Sequence, residues 1–330
     1  LASNERDEPW IDEGMNSYYE ARYLEEKYPK LGSYDSLPSV NAENAGSNLG
    51  FSDFYASPYN YYWYLLYARQ ANDQPITLHS EKLTSDNYGS IIYGKAALSM
   101  RYLEGYLGKS EFDRIMQKFY QQYEFKHVNT TDFRTLLEIE TGKDFAWFFE
   151  ELLNTTKTID YKTNYIFRYG KNDAGERIHR PEIKNKTGEI AAPFSLTAFK
   201  GDSAIATRWY EGFKGTKKVE FPALKYDKLR IDADGYIPEI NRRNNNYRFK
   251  GGKRDRPIQF KLFGSLEDEN RKQVFYTPML GFNKYDGLML GAAFYNSLAP
   301  RKRVEYFVNP MFSINASDIV GTANIQYHLL

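Results

Sequence analysis

Near Asp160 the spacing of apolar residues changes from one side chain every three or four to one in two, and that change limits what the chain can fold into. Before it, apolar and small residues recur with helical period. Trp10, Gly14, Tyr18, Ala21, Leu24 and Tyr28 share one face, with Pro9 at the first helical position and Asp7 and Glu8 beside the positive helix start. Pro29 ends that run, and residues 30–57, rich in Ser, Asn, Pro and Gly, read as loop. Helices follow over Tyr59–Ala71 and Ile91–Leu107. Ser110–Tyr123 opens with a Ser110–Asp113 capping box and aligns Phe112, Ile115, Met116, Phe119 and Tyr123. Thr131–Thr141 starts at a threonine cap and stops before Gly142, read as a left-handed residue; Phe145, Phe148, Phe149 and Leu152 give a last amphipathic helix. Residues 1–158 are therefore an all-α lobe.

After Asp160, short alternating runs such as Phe194–Phe199 and Lys228–Asp232 are separated by turn chemistry at Lys171–Gly175, Lys186–Gly188 and Phe199–Asp202. This predicts a small β-sandwich over 161–240. Residues 241–257, with Asn-Arg-Arg-Asn-Asn-Asn and the basic run Lys250–Arg256, read as a polar linker whose default is a solvated segment. Beyond residue 258 the alternation lengthens. Ala323, Ile325, Tyr327 and Leu329 alternate with Thr322, Asn324, Gln326 and His328; Val304, Tyr306 and Val308 do the same, and Leu288–Tyr295 is another strand. Long strands with one apolar and one polar face, joined by Asn/Pro/Gly turns, are the pattern of an outer-membrane barrel. Only about four fit here, whereas closure takes about eight or more. An ordinary soluble sheet has the same alternation. The fold class expected is thus multidomain α+β: helical lobe, sandwich, then antiparallel strands 258–330 as the start of a barrel.

Composition narrows the partners. Lys and Arg number 44 against 43 Asp and Glu, which gives no basic stripe for nucleic acid. Cysteine is absent, so disulfides and thiolate metal sites are excluded. No run of about 18 apolar residues offers a membrane-spanning helix. The 29 Tyr and 22 Phe suit tyrosine-rich helix packing, the interfacial girdles of a barrel, or both.

Trp10-Ile11-Asp12-Glu13-Gly14 resembles the Trp-Leu-Asp/Asn-Glu-Gly segment of gluzincin zinc aminopeptidases, the class of aminopeptidase N and leukotriene hydrolase. Ile92-Tyr93-Gly94-Lys95-Ala96-Ala97 is similar to that family's Tyr-x-Lys-Gly-Ala, with Ala96 where glycine is usual. The resemblance spans about residues 4–158 and implies a thermolysin-like peptidase lobe. It also implies Glu13 as a zinc ligand, Tyr93 as the phenol that donates to the oxyanion, Zn2+ as cofactor and a peptide as substrate. The family's His-Glu-x-x-His, whose second His stands about nineteen residues ahead of the glutamate, would fall before Leu1. The chain contains no such motif, and none of His79, His127, His179 and His328 are four apart. One carboxylate does not hold a catalytic zinc, which takes three protein ligands and one open position. The expectation is a fragment of a zinc metallopeptidase, inactive as it stands, in the bacterial envelope (outer membrane, periplasm or cell surface), with lipid contact through the C-terminal strands. The alternative is a non-catalytic envelope binding or anchoring protein on a peptidase-like scaffold.

Other candidates have plainer readings. Asp12 is a solvated helix acid or orients a ligand from behind. His127 caps or packs before the Thr131 helix, His79 lies in a loop, and Tyr59–Tyr67 is helix packing rather than an aromatic cage. Asp232-Ala233-Asp234-Gly235 is a turn, because the ligands that follow in a calcium loop are missing.

Overall fold

A computed structural model describes residues 3–27, 59–167, 170–248 and 256–328. The expected stop at Pro29, the loop over 30–57 and most of the basic run Lys250–Arg256 lie outside the described residues. The chain forms two compact units. Residues 1–22 and 72–255 make the first, and residues 23–71 and 256–330 the second.

The first unit begins with a π-helical turn, Trp10–Gly14, that runs into helix α1 (Met15–Lys27). A second π-helical segment, Tyr88–Lys95, runs into α3 (Ala96–Leu107); α4 (Lys109–Tyr123), α5 (Thr130–Thr141) and a third π-helical segment, Trp147–Leu153, follow. Aromatic side chains fill their core. Trp10, Tyr18, Phe112, Phe119, Phe133 and Phe148 are buried, and Phe119 meets Phe133 edge to face at 5.1 Å. Each such ring removes a large apolar area from water, which is why a tyrosine- and phenylalanine-rich sequence can hold short helices together.

Two helix starts differ from the expectation. Ser110 is not a cap: α4 begins at Lys109 after Gly108, whose φ of 84° suits glycine. Asp113 turns instead to the Arg22 guanidinium, a charged partner that outcompetes a cap hydrogen bond. At α5 the cap is Asn129, not Thr131, in a reciprocal capping box with Asp132. Asn129 is favoured because its side-chain Oδ1 accepts the Asp132 N–H at 3.0 Å, and this leaves Thr130 free for another contact. Gly142 is left-handed at φ 65°, as expected.

The β part of this unit is two antiparallel sheets. In one, β2 (Ile178–Asn185) pairs with β1 (Tyr161–Phe167), β5 (Thr216–Lys218) and β6 (Phe221–Pro222). The other runs β4 (Ser203–Tyr210), β3 (Phe194–Lys200), β7 (Lys228–Ile231), β8 (Asn246–Arg248). Tyr161 of β1 stacks on Phe194 of β3 with centroids 4.7 Å apart, so both sheets feed one core. The start of the expected linker is structured. Arg242 is buried and donates to the carbonyls of Gly235 and Ile237, and Asn246–Arg248 is a strand. Buried carbonyls at the preceding turn need donors, and a sequence reading that scores Arg and Asn only as polar misses them. Asp232 takes the backbone N–H groups of Tyr236 and Ile237 at 2.7 and 3.1 Å, so its carboxylate closes a turn.

In the second unit, α2 spans Tyr59–Ala68, three residues short of expectation; Ala71 has φ 53°, which a helix does not accommodate. The sheet has five strands in the order β13-β12-β11-β10-β9: Ile258–Leu262, Lys272–Asn283, Gly287–Tyr295, Val304–Ser313 and Asp318–Tyr327 from β9 to β13. β10 to β13 are antiparallel neighbours, β9 pairs with β10 in parallel, and the described sheet is open rather than a closed barrel.

Candidate active site

Glu13 is placed by what flanks it. One turn earlier, the Glu8 carboxylate accepts the Thr130 N–H at 3.1 Å and its hydroxyl at 2.7 Å. The Trp10 indole N–H donates to the same hydroxyl at 2.9 Å. These bonds tie the start of the Glu13 segment to the N-terminus of α5, where a carboxylate also meets the positive end of the helix. The turn over Trp10–Gly14 is π-helical, closed by the Met15 N–H on the Trp10 carbonyl five residues back. The Tyr93 segment is built alike, its end marked by the Ala96 N–H on the Ile91 carbonyl. Such widened turns are uncommon and concentrate at functional sites, where they re-aim a side chain.

The two segments cross where Gly14 faces Ala96, so close that a Cβ on Gly14 would lie 2.5 Å from the Ala96 Cβ. At the crossing the Tyr93 phenol and the Glu13 carboxylate are neighbours. Partial burial and the neighbouring Glu13 carboxylate push the Tyr93 phenol up to about 12. Tyr93 is therefore a neutral O–H donor throughout the physiological range.

Glu5 and Asp12 complete the surroundings, with one carboxylate oxygen from each lying within 4.8 Å of the others and of Glu13. Asp12 accepts from the Ser3 hydroxyl at 3.0 Å, and Glu5 from the Tyr88 hydroxyl at 2.6 Å. The Tyr88 and Tyr93 rings meet edge to face at 5.9 Å, and burial and Glu5 raise the Tyr88 phenol too. Lys95 is fully buried and pairs with Asp73 at 3.3 Å, which fixes the helix behind Tyr93.

The sequence pairs Glu13 with Tyr93, and both meet here. It gives no hint of Glu5 and Tyr88. Tyr88 precedes Tyr93 by five residues, a spacing that an α-helical period sends to different faces and a π-helical one brings together. The histidines take other roles. His79 pairs with Asp7 at 3.1 Å and accepts the Glu81 N–H, closing a turn. His127 is exposed, His179 meets the Tyr226 hydroxyl at 2.5 Å, and His328 meets Glu305 at 3.1 Å. Among the described residues, the group able to hold a cation contains carboxylates and no imidazole. It matches one ligand of a catalytic zinc set, Glu13, and not the whole set. A separate open cleft lined by Tyr106, Lys143, Trp147, Glu150 and Glu211 shares none of these residues.

Residues 3–152 match the profile of the Peptidase family M1 domain. The match contains both Glu13 and Tyr93. No curated protein matches the chain in sequence. Among solved structures it is similar to the Legionella pneumophila aminopeptidase A complex with aspartic acid, at 15% identity and a TM-score of 0.46 over 70% of this chain. That likeness is too distant to carry an argument. The chain spans 24% of the length of that protein.

Proposed function

We propose that this chain supplies part of the active site of a zinc-dependent, aminopeptidase-like metallopeptidase, with Glu13 as a metal ligand and Tyr93 as the oxyanion donor. The observation that carries the reading is the close crossing of the π-helical turns that bear Glu13 and Tyr93, at Gly14 and Ala96, inside the stretch that matches the family profile. When bound, zinc would supply a water acidic enough to attack a carbonyl near neutral pH. The carboxylate of Glu13 stands open to a cation on the side it shares with Asp12 and Glu5. Tyr93, kept protonated, would offer its O–H to an oxygen that gains charge during attack. Such a donor stabilises the transition state more than the ground state.

The two imidazole ligands and the general base belong to a His-Glu-x-x-His segment that this sequence does not contain. On this reading the chain alone is inactive and binds zinc weakly. Calorimetry with Zn2+ tests it: sub-micromolar affinity that Glu13→Gln abolishes would show that the chain builds a complete site alone. Reading about 30 codons upstream of Leu1 tests the other half, since they should encode His-Glu-x-x-His. The second reading is a non-catalytic envelope binding or anchoring protein on a peptidase-like scaffold. It prevails if that coding segment lacks the motif.

A further inference from the structure

The register of the second unit's sheet sorts its side chains by chemistry. On one face Leu280 lies opposite Leu290, Leu290 opposite Phe312, and Phe312 opposite Ile319. A second row on that face runs from Tyr276 through Phe294 and Val308 to Ala323; Tyr306–Ile325 and Val304–Tyr327 extend it across the last two strands. These side chains face outward. Leu280 is 72% exposed, Phe282 78%, Ile319 72% and Ile325 76%. The opposite face is mixed: Thr277, Glu305, Asn309, Ser313, Asn324 and Gln326 share it with Phe275, Met289, Ala293, Phe307 and Met311, of which Phe275, Ala293 and Met311 are buried. The more continuously apolar face is thus the exposed one, whereas a soluble sheet buries its apolar face.

We propose that the outward face of β10–β13 is seated in the acyl chains of a bilayer, and so places this unit in a cell-envelope membrane. Charge distribution favours hydrocarbon over a protein partner. The outward positions of β11, β12 and β13 hold no Asp, Glu, Lys or Arg, and β10 has only Lys272, at its first residue. Charged side chains gather at the two ends, with Lys284, Asp286 and Asp318 at one and Arg301, Lys302 and Arg303 at the other. A protein interface has a polar rim and hydrogen-bonding groups within it, whereas this face, apart from Lys272 at its end, offers a lipid tail no polar side-chain atom beyond its aromatic hydroxyls. Those hydroxyls belong to Tyr276, Tyr306 and Tyr327, towards the Arg301–Arg303 end, where an aromatic belt meets the headgroups. Length also agrees. Ten residues at about 3.4 Å each, tilted by about 45°, rise roughly 24 Å, close to the apolar band of about 25 Å in membrane sheets. Lipid does not satisfy backbone groups, so a seated sheet also needs strand pairing at the β13 edge.

The absence of cysteine allows a direct test that does not use peptidase activity. Single cysteines at Leu290 and Ile325 (outward) and at Met289 and Asn324 (inward) are labelled with an environment-sensitive fluorophore. The full chain is then mixed with phosphatidylethanolamine–phosphatidylglycerol vesicles, plain or brominated. A blue shift with at least twofold bromolipid quenching at the outward positions, and not at the inward ones, is expected. Equal quenching on both faces, or none, overturns the proposal; so does a vesicle-independent blue shift with dimers in sedimentation, which would assign the face to a second copy. Flotation of Leu290→Glu/Ile325→Glu with vesicles should fall at least tenfold, and flotation equal to that of the parent chain overturns the proposal. Should this variant not fold, the cysteine series decides alone.

Discussion

Gly14 and Ala96 touch so closely that the backbone carrying Glu13 and the one carrying Tyr93 are fixed against each other. A Cβ on Gly14 would lie 2.5 Å from the Ala96 Cβ and 2.9 Å from the Ile92 carbonyl oxygen. Neither obstacle is the end of a flexible side chain, so the segments must part to admit a methyl group.

Gly14→Ala should therefore destabilise the first unit by about 1–3 kcal/mol, the usual cost of overpacking. Urea unfolding followed by tryptophan emission checks this, because Trp10 lies at the crossing. The same substitution should move Glu13 away from Tyr93 and lower the Tyr93 pKa, a change that loss of stability elsewhere in the unit would not give.

Burial and the neighbouring Glu13 carboxylate push the Tyr93 phenol up to about 12. The folded value is raised above that of a free phenol. Its contribution to stability is thus fully present below about 10, the free-phenol value, and is lost as pH rises through about 12. Glu13→Gln should bring the Tyr93 titration down towards 10 in a carbon-13 tyrosine NMR titration, assigned by comparison with Tyr93→Phe. On the proposed reading, Tyr93→Phe in the full-length protein should lower the kcat of peptide hydrolysis about 10²–10³-fold with little change in KM.

Arg22 grips Asp113 with two hydrogen bonds, 2.5 and 2.6 Å long, and is 3.2 Å from the Tyr18 hydroxyl. The guanidinium holds the Asp113 carboxyl below its usual range. A depressed acid stabilises the fold above its unfolded pKa of about 3.9, and that stability is lost as pH falls through the lower folded value. Thermal melts between pH 6 and pH 2 should show a shallower acid limb for Asp113→Asn than for the parent. Parallel limbs would remove Asp113 from the acid response.

In the second unit, Arg69 forms a two-pronged pair with Glu267, both bonds 3.0 Å, and the two side chains are 3% and 6% exposed. The Tyr62 hydroxyl also donates to the Glu267 backbone carbonyl. These contacts join α2 to the β9–β10 connection. Arg69→Met should cost about 3–5 kcal/mol, because it leaves a buried carboxylate without its partner. Arg69→Met/Glu267→Leu should recover most of that loss in chemical denaturation.

The sequence by itself determined the change of period near Asp160, the aromatic face of α4 and the stop at Gly142, and it singled out Glu13 and Tyr93 as candidates. Each of these rests on local chemistry, either side-chain spacing along one element or a motif of a few residues. Only the tertiary structure decided what depends on residues far apart in the chain. Asp113 left its expected cap for Arg22, 91 residues away. Thr130 became an anchor for Glu8 and Trp10, and Arg242 turned from linker into a donor for buried carbonyls. The π-helical turns also lay beyond the sequence reading, since a widened turn is stabilised by the packing around it and leaves no periodic mark in so short a segment. For the same reason Glu13 could be named from its motif, whereas Glu5 and Tyr88 became its neighbours only when the two turns crossed at Gly14.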